Sequence, residues 1–228
     1  MVFGVISVES AAFSVVSAHQ NYDVRRYQQV VVAETDYEQH GSDDRKGQSA
    51  AFRRLAKYIG VFGTPENAKA GSSEAIAMTA PVLTSEAIAM TAPVITTEAI
   101  AMTAPVLTQS SGKDLTTKTM KFVMPKQFTM DSIPKPTNDA VRVVEHPEQL
   151  MAVSVFSGTA SDATAAKHAE ALVSAIQADG LTVDSSKAAA GERVWQLAQF
   201  NPPWTIPFLR TNEILIPIVE AEACSSNQ

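Results

Sequence analysis

Residues 22–60 read YDVRRYQQVVVAETDYEQHGSDDRKGQSAAFRRLAKYIG, in which an extended segment leads directly into an amphipathic helix. The extended segment spans residues 22–37 and is rich in valine and tyrosine, as strands are. In the helix, Asp43 or Asp44 can cap the start and Gly60 can end the last turn. The apolar stripe between these ends consists of Phe52, Leu55, Ala56 and Ile59. A strand that leads into a helix is therefore the first unit of the fold.

The same order of elements recurs in the second part of the chain. Residues 141–156 are strand-like, and residues 162–179 are helical with Gly180 at the end. The apolar face of this second helix consists of Ala165, Ala169, Leu172, Val173 and Ile176. Further strand-like runs are a Met-Thr-Ala-Pro block and residues 120–128 after the first helix, and residues 193–200 and 213–219 after the second. Each half of the chain thus has the order β-α-β-β.

These two halves predict one α+β domain. Neither half can bury its sheet face alone, so we expect a single domain over residues 1–220 whose sheets curl into a barrel. The halves cover about 20–130 and 139–220, and the proline-rich residues 133–138 link them. Residues 221–228 are predicted to form a flexible tail.

A 12-residue sequence is repeated three times, at 73–84, 85–96 and 97–108, and each copy contains Glu-Ala-Ile-Ala-Met-Thr-Ala-Pro-Val. Ile76, Met78 and Ala80 alternate with smaller or polar residues, which predicts a strand that ends near the proline. We interpret one copy as a strand and the others as an extruded loop or hairpin. The alternative is an array of methionines that binds a soft metal. The first interpretation is favoured because methionine more often fills gaps in a core.

Composition limits the class of protein. The chain has 228 residues, a formal net charge of −6, and 45% hydrophobic and 18% charged residues. These values are typical of a globular protein, and the acidic balance argues against nucleic acid as a partner. The single cysteine, Cys224, cannot form an internal disulfide, and no stretch of 18 apolar residues predicts a membrane span. The N-terminus lacks the pattern of a targeting segment, so we expect a cytoplasmic protein.

The sequence contains no motif that predicts catalysis. It has no Gly-x-Ser-x-Gly elbow, no phosphate-binding glycine loop and no dinucleotide fingerprint. Its four histidines do not have the spacing of a zinc site. We therefore expect a protein that is not an enzyme. If one histidine ligates an iron, His40 is the candidate, because it lies in a predicted loop that leads into the first helix.

Two groups of residues suit a flat apolar ligand with carboxylates. Arg53, Arg54 and Lys57 surround the apolar stripe of the first helix, either as a solvated face or as partners of ligand carboxylates. The loop at 201–210 carries Trp204 and Phe208, which either cover the end of a barrel or form aromatic walls of a pocket. Both interpretations of each group are open on the sequence alone.

Five motifs in order give the chain a resemblance to the SOUL haem-binding family. They are YDVRRY at 22–27, FRRLAKYIG at 52–60, the IAMTAPV block, FVMP at 122–125, and NPPW at 201–204 followed by RTNE at 210–213. The resemblance runs from about residue 3 to residue 220. It implies a distorted eight-stranded β-barrel flanked by two helices and built from two pseudo-symmetric halves.

The resemblance also implies reversible binding of haem or a related tetrapyrrole, with a role in buffering, transport or delivery. Family members hold the macrocycle near the first helix, with cations on its propionates. Lys57 matches a basic residue of the family, and Phe52, Arg53, Trp204 and Phe208 are candidates by their expected position. Some relatives have a histidine where this chain has Arg26. That difference and the repeat at 73–108 support an alternative, a protein-interaction module that does not need haem.

Overall fold

The computed structural model describes seven parts of the chain: residues 10–40, 45–68, 72–86, 115–184, 186, 195–201 and 205–219. Most of the second and third repeats, the predicted caps Asp43 and Asp44, Trp204 and the tail at 221–228 lie outside these parts. Among the described residues, no helix has the length and apolar character that crossing a membrane requires.

The described elements are two helices and eleven strands. The helices are α1 (Arg45–Ile59) and α2 (Asp162–Ala178). The strands are β1 (Phe13–Ala18), β2 (Asp23–Tyr27), β3 (Val30–His40), β4 (Asn67–Ala68), β5 (Val82–Glu86), β6 (Leu115–Val123), β7 (Lys135–Pro136), β8 (Arg142–His146), β9 (Gln149–Phe156), β10 (Gln196–Gln199) and β11 (Asn212–Pro217). This content confirms the α+β class and the two helices.

Nine of these strands form one curled antiparallel sheet in the order β1-β2-β9-β11-β10-β5-β6-β3-β8. The order differs from the expected closed barrel of eight strands: it ends at β1 and β8, which do not pair with each other within the described parts. Near the middle of this order, β10 pairs with β5. The sheet continues from β5 through β6, β3 and β8, and from β10 through β11, β9 and β2. β2 and β8 thus each join the side formed by the other half of the chain.

The strand predictions need two corrections. Residues 22–37 and 141–156 were each predicted as one extended run, but each forms two strands. The interruptions are at Gln28 and Gln29 in the first run, and at Pro147 and Glu148 in the second. Pro147 cannot donate a hydrogen bond to a sheet, which accounts for the second interruption.

The first repeat forms its strand after Pro81, not before it. β5 begins at Val82, and the peptide bond that precedes Pro81 is cis. Upstream of the proline, Ile76 and Ala80 are buried whereas Met78 is exposed, so the predicted alternation does not describe one face of a strand. This segment is held by its ends: the Ile76 amide donates to the carbonyl of Ile59, and the Thr79 hydroxyl donates to the carbonyl of Val123.

Both helices pack on the same face of the sheet, each over its own core cluster. α1 buries Ala51, Leu55 and Ile59 against β3 and β6, and Gly60 ends it with a φ of +89°. α2 starts at the cap Ser161 and buries Ala165, Ala169, Leu172 and Ile176 against β9 and β11, as the spacing predicted. Neither of the two described helices packs on the opposite, concave face of the sheet.

Candidate ligand-binding site

The outer face of α1 carries two of the three predicted cations, whereas the third, Arg54, donates hydrogen bonds to Thr35 Oγ1 and to the Asp36 carbonyl of β3. Arg53 and Lys57 are both exposed, and their spacing of four residues places them on one side of the helix. The Nζ of Lys57 lies 3.3 Å from Glu66 Oε1, and its side chain is 53% exposed. An exposed pair of this kind contributes little to stability, so the ammonium group can exchange Glu66 for another carboxylate.

Two apolar residues directly follow the end of α1. Val61 and Phe62 follow Gly60 and are exposed, with 58% of Phe62 accessible. Phe52 is half-buried and packs edge-on against Phe122, with 5.4 Å between the ring centroids. Val61 and Phe62 were not among the sequence candidates, although two apolar residues directly after a helix-ending glycine are a signal for an exposed apolar patch.

Phe208 is the aromatic residue of the segment 201–210 that the structure describes, and it lies near the end of β9. Phe208 belongs to a short 3-10 turn, Pro207–Leu209, and is 71% exposed. The carbonyl of Pro207 accepts a hydrogen bond from the amide of Gly158, so this turn lies against the end of β9. Trp204 is outside the described residues. The loop therefore does not supply a described aromatic wall beside α1.

His40 lies in a strand, not in the predicted loop. It is the last residue of β3, where its backbone is opposite Leu115 of β6. Gly47, near the start of α1, packs against the backbone of Glu38. His40 is thus near the start of the helix and Lys57 near its end. Because α1 has 15 residues and is therefore about 22 Å long, the structure does not bring these two residues to one place.

The concave face of the sheet contains a second candidate site, a cavity of about 300 Å³. Its walls come from strand positions that alternate with the core positions: Val30 and Val32 of β3 line it, whereas Val31 and Ala33 pack under α1. The apolar lining includes Tyr27, Leu83, Val123, Met151, Phe200 and Leu215. Burial, with the charge of Glu213 adding to it, raises the pKa of Tyr27 to about 12.

Charged residues lie among these apolar walls. Arg25, Lys121, His146 and Glu213 line the cavity. Arg25 Nη1 is 2.9 Å from Glu213 Oε1, in a buried pair. No sequence argument identified these residues, but a signal existed: Arg25, Lys121 and Glu213 are charged residues within runs that read as strands, and such residues can face inward only where a site or an ion pair accommodates them.

Behind the cavity, the carboxylate of Glu34 lies close to the side chains of Arg142, Lys121 and His146. Its Oε1 is 2.6 Å from Arg142 Nε, and its Oε2 is 3.8 Å from Lys121 Nζ and 4.0 Å from His146 Nε2. Burial alone would raise the pKa of the Glu34 carboxyl. The neighbouring His146, Arg142 and Lys121 outweigh burial and lower that pKa.

Comparisons with known proteins give the fold and the family. Two solved structures are similar in fold, each with a TM-score of 0.50: the C-terminal domain of EcmrR, and an uncharacterized conserved protein from Listeria innocua. The EcmrR domain is 9% identical, with 88% of this chain and 98% of that chain covered; the Listeria protein is 14% identical, with 85% and 91% covered. No curated protein matches the chain significantly. The family model for SOUL heme-binding proteins matches residues 8–217, and the chain therefore belongs to that family.

Proposed function

We propose that this chain binds haem or a related tetrapyrrole reversibly and releases it unchanged, as a carrier for buffering, transport or delivery. The observation that carries the proposal is the match to the SOUL haem-binding family, which spans nearly the whole described fold. A carrier of this kind needs an apolar surface for the ring and cations for its propionates, and no catalytic group.

The surface of α1 fits those requirements. Arg53 and Lys57 offer two exposed cations on one side of the helix, and Val61 and Phe62 offer exposed apolar area next to its end. We place the propionates on Arg53 and Lys57 and the ring on the apolar side chains. Phe52 is half-buried at the edge of the core, where it packs against Phe122 beneath α1. Phe208 lies in the turn near the end of β9 and is not part of this surface, and Trp204 stays a candidate from the sequence alone.

Axial ligation by His40 is a separate part of the proposal. The start of α1 is the end nearest to this histidine, whereas the propionate partner Lys57 lies near the other end. We therefore expect ring burial and propionate contacts to supply most of the affinity, with His40 as a weak ligand at most. Iron-free protoporphyrin should then bind with a dissociation constant within about tenfold of the value for haem, because a tenfold change corresponds to only 1.4 kcal/mol.

The test is a titration of the purified chain with ferric haem, followed at the Soret band. A saturable shift that ends at one haem per chain supports the carrier. A chain that is folded by circular dichroism but gives no saturable shift would overturn the proposal. His40→Ala in the same titration shows whether this histidine changes the spectrum of bound haem.

One observation favours a second candidate, an interaction module on the same fold. β5 and β6 are antiparallel neighbours, with Glu86 opposite Lys118, so the second and third repeats fall between two paired strands. An insertion at such a position leaves the strand register unchanged and can present a protein-binding segment. Partner binding through 73–108 that is lost when the repeats are shortened, in a chain that never binds haem, would support this candidate.

A further inference from the structure

The cavity on the concave face has the properties of a site for a small apolar molecule. Its volume of about 300 Å³ is at the lower end of the roughly 300–1,000 Å³ that ligand pockets occupy. Such a volume suits an aliphatic chain or one or two rings, and is small for a tetrapyrrole. The cavity is also on the face of the sheet opposite α1, so a ligand here would not compete for the surface proposed for haem.

The most informative residue of the cavity is Lys121. Its side chain is only 3% exposed, and it lines the cavity. Within the described residues, the nearest carboxylate oxygen to its Nζ is Glu34 Oε2 at 3.8 Å, which is beyond hydrogen-bond distance. Glu34 is already engaged at 2.6 Å by Arg142. A buried ammonium group that has three donors and no described carboxylate within hydrogen-bond distance is costly unless another acceptor, such as that of a ligand, satisfies it.

Two other polar atoms of the lining have the same deficiency. His146 Nε2 and Arg25 Nε are buried and have no hydrogen-bond partner in the part of the chain described. His146 Nε2 and Lys121 Nζ are both within 4.0 Å of the same oxygen of Glu34, so they converge on one end of the cavity. The carboxylate of the lining, Glu213, is instead satisfied by Arg25 at 2.9 Å. Within the described lining, the buried polar atoms without a partner are therefore nitrogens, not carboxylate oxygens.

We propose that this cavity binds an apolar carboxylate, with the carboxylate group on Lys121 and His146. The apolar part lies along Val30, Val32, Val123 and Leu83, which line the same cavity. Hydrogen bonds between a charged donor and a carboxylate are about twice as strong as neutral ones, and they supply the acceptors that the two donors lack. The apolar walls then add affinity in proportion to the area buried.

A titration of the unsubstituted chain tests the sign of the charge that the ligand must carry. We would titrate it by calorimetry with dodecanoate and, as the matched opposite charge, with dodecyltrimethylammonium, both below their micellar concentrations. The proposal predicts saturable one-to-one binding of dodecanoate and no saturable binding of the cation. Preference for the cation, equal binding of both, or binding of neither would overturn it.

A pair of substitutions on β6 tests the position. Lys121→Met should weaken dodecanoate binding by about tenfold or more, because it removes the charged hydrogen bond to the carboxylate. Lys118→Met is the matched control: it is similarly buried on the same strand, pairs with Asp162 at 2.8 Å and does not line the cavity. Dodecanoate affinity should survive in Lys118→Met. Equal dodecanoate affinities in the two folded variants would exclude Lys121 as the residue that binds the carboxylate. If either variant does not fold, the comparison of dodecanoate with dodecyltrimethylammonium on the wild-type chain decides whether the cavity binds an apolar carboxylate.

This site is independent of the proposed haem site, and the two can fail separately. Lys57→Glu should leave dodecanoate affinity unchanged, and Lys121→Met should leave haem affinity unchanged. Displacement of dodecanoate by one equivalent of haem would show that the two ligands share a site and would contradict their placement on opposite faces of the sheet.

Discussion

Lys57 and Lys121 differ in exposure and in the partners that can reach them. The side chain of Lys57 is 53% exposed and its ion pair with Glu66 is replaceable, so it can serve a ligand that arrives at the surface. Lys121 is enclosed among apolar walls, where any partner must come into the cavity. The two residues therefore belong to two proposed sites of different character, on opposite faces of the sheet.

Charge reversal at Lys57 should weaken haem binding. We expect Lys57→Glu to raise the dissociation constant by about tenfold, which corresponds to a loss of about 1–2 kcal/mol from one charged contact. Lys167→Glu is the control, because Lys167 is an exposed lysine on α2, away from the proposed surface. The measurement is the Soret titration of both variants. Equal dissociation constants would remove Lys57 from the site.

The Glu34–Arg142–Asp36 cluster should make stability depend on acidic pH. The hydrogen bond from Arg142 is the largest influence on Asp36 and lowers its pKa against the opposing effect of burial, and the pKa of Glu34 is also lowered. Groups whose pKa is lower in the folded state stabilise it above their unfolded pKa of about 4, and this contribution is lost as the pH falls through the folded pKa.

Arg142→Met tests that dependence through urea unfolding at pH 7 and pH 3. We expect the variant to be less stable by about 1–2 kcal/mol at pH 7, because it removes charged hydrogen bonds from two carboxylates, and the difference should shrink at pH 3. Arg26→Met, which breaks the exposed pair with Glu148, should stay within about 0.5 kcal/mol of wild type. A deficit in Arg142→Met that is the same at both pH values would contradict the account.

At the scale of residues, only one of the two candidate sites could be predicted from the sequence. The cations of α1 could be found because helical spacing places them on one exposed side. The cavity residues could not, because Arg25, Lys121, His146 and Glu213 come from four strands that are spread along the sequence and meet only through the sheet order. Glu213 pairs with Arg25 across 188 positions, which no local pattern indicates.

Among the elements, α1 has the clearest relation between sequence and structure. Its apolar stripe and the glycine at its end were predicted correctly, and the helix packs so closely on β3 that a Cβ at Gly47 would clash with the backbone oxygen of Glu38. Gly47 thus sets the distance between helix and strand. Its presence within a helix, where glycine is otherwise unfavourable, has a packing reason.

Gly47→Ala should therefore destabilise the fold although alanine is the better helix former. Propensity alone would add about 1 kcal/mol of stability, and overpacking typically removes about 1–3 kcal/mol; because the atom that must move is backbone, we expect a net loss. Ser49→Ala, on the exposed side of the same helix, should instead raise stability slightly. Urea unfolding compares the two, and a stabilised Gly47→Ala would show that the helix can move away from β3.

The strands were harder to predict than the helices. Apolar periodicity indicated where extended segments lie, but not that two of them would each fold into two strands. In the first repeat, alternation before Pro81 predicted a strand, whereas β5 begins after it. Short apolar runs that flank a proline fit either arrangement, and the sheet order decides between them.

For the whole molecule, the sheet order explains why the two halves form one sheet. β2 and β8 each pair with a strand of the other half, namely β9 and β3, so neither half has a complete sheet alone. We include in the proposal that the halves at 20–130 and 139–220 are related by a pseudo-two-fold axis. The support is the strand order, in which β10, β11 and β9 on one side correspond to β5, β6 and β3 on the other.

The repeats should be dispensable for the fold. Because β5 and β6 are neighbours, deletion of residues 87–110, two repeat lengths, keeps Glu86 and shortens only the connection between the paired strands. Shortening a loop changes its closure entropy by less than about 1 kcal/mol for each halving of length. The connection between Glu86 and Leu115 shrinks from 28 to 4 residues, nearly three halvings, so we expect the deletion variant to be as stable in urea as the full chain, or more stable by up to about 2 kcal/mol. A variant that does not fold would show that the repeats contribute to the sheet.

The most direct test of the central claim is the Soret titration with ferric haem, carried out in parallel on the full chain and on the chain without residues 87–110. The carrier account predicts saturation at one haem per chain in both proteins, with dissociation constants within about threefold of each other, since a factor of that size is less than about 1 kcal/mol. Two folded proteins with no saturable shift would contradict it and leave the interaction module as the function of this fold.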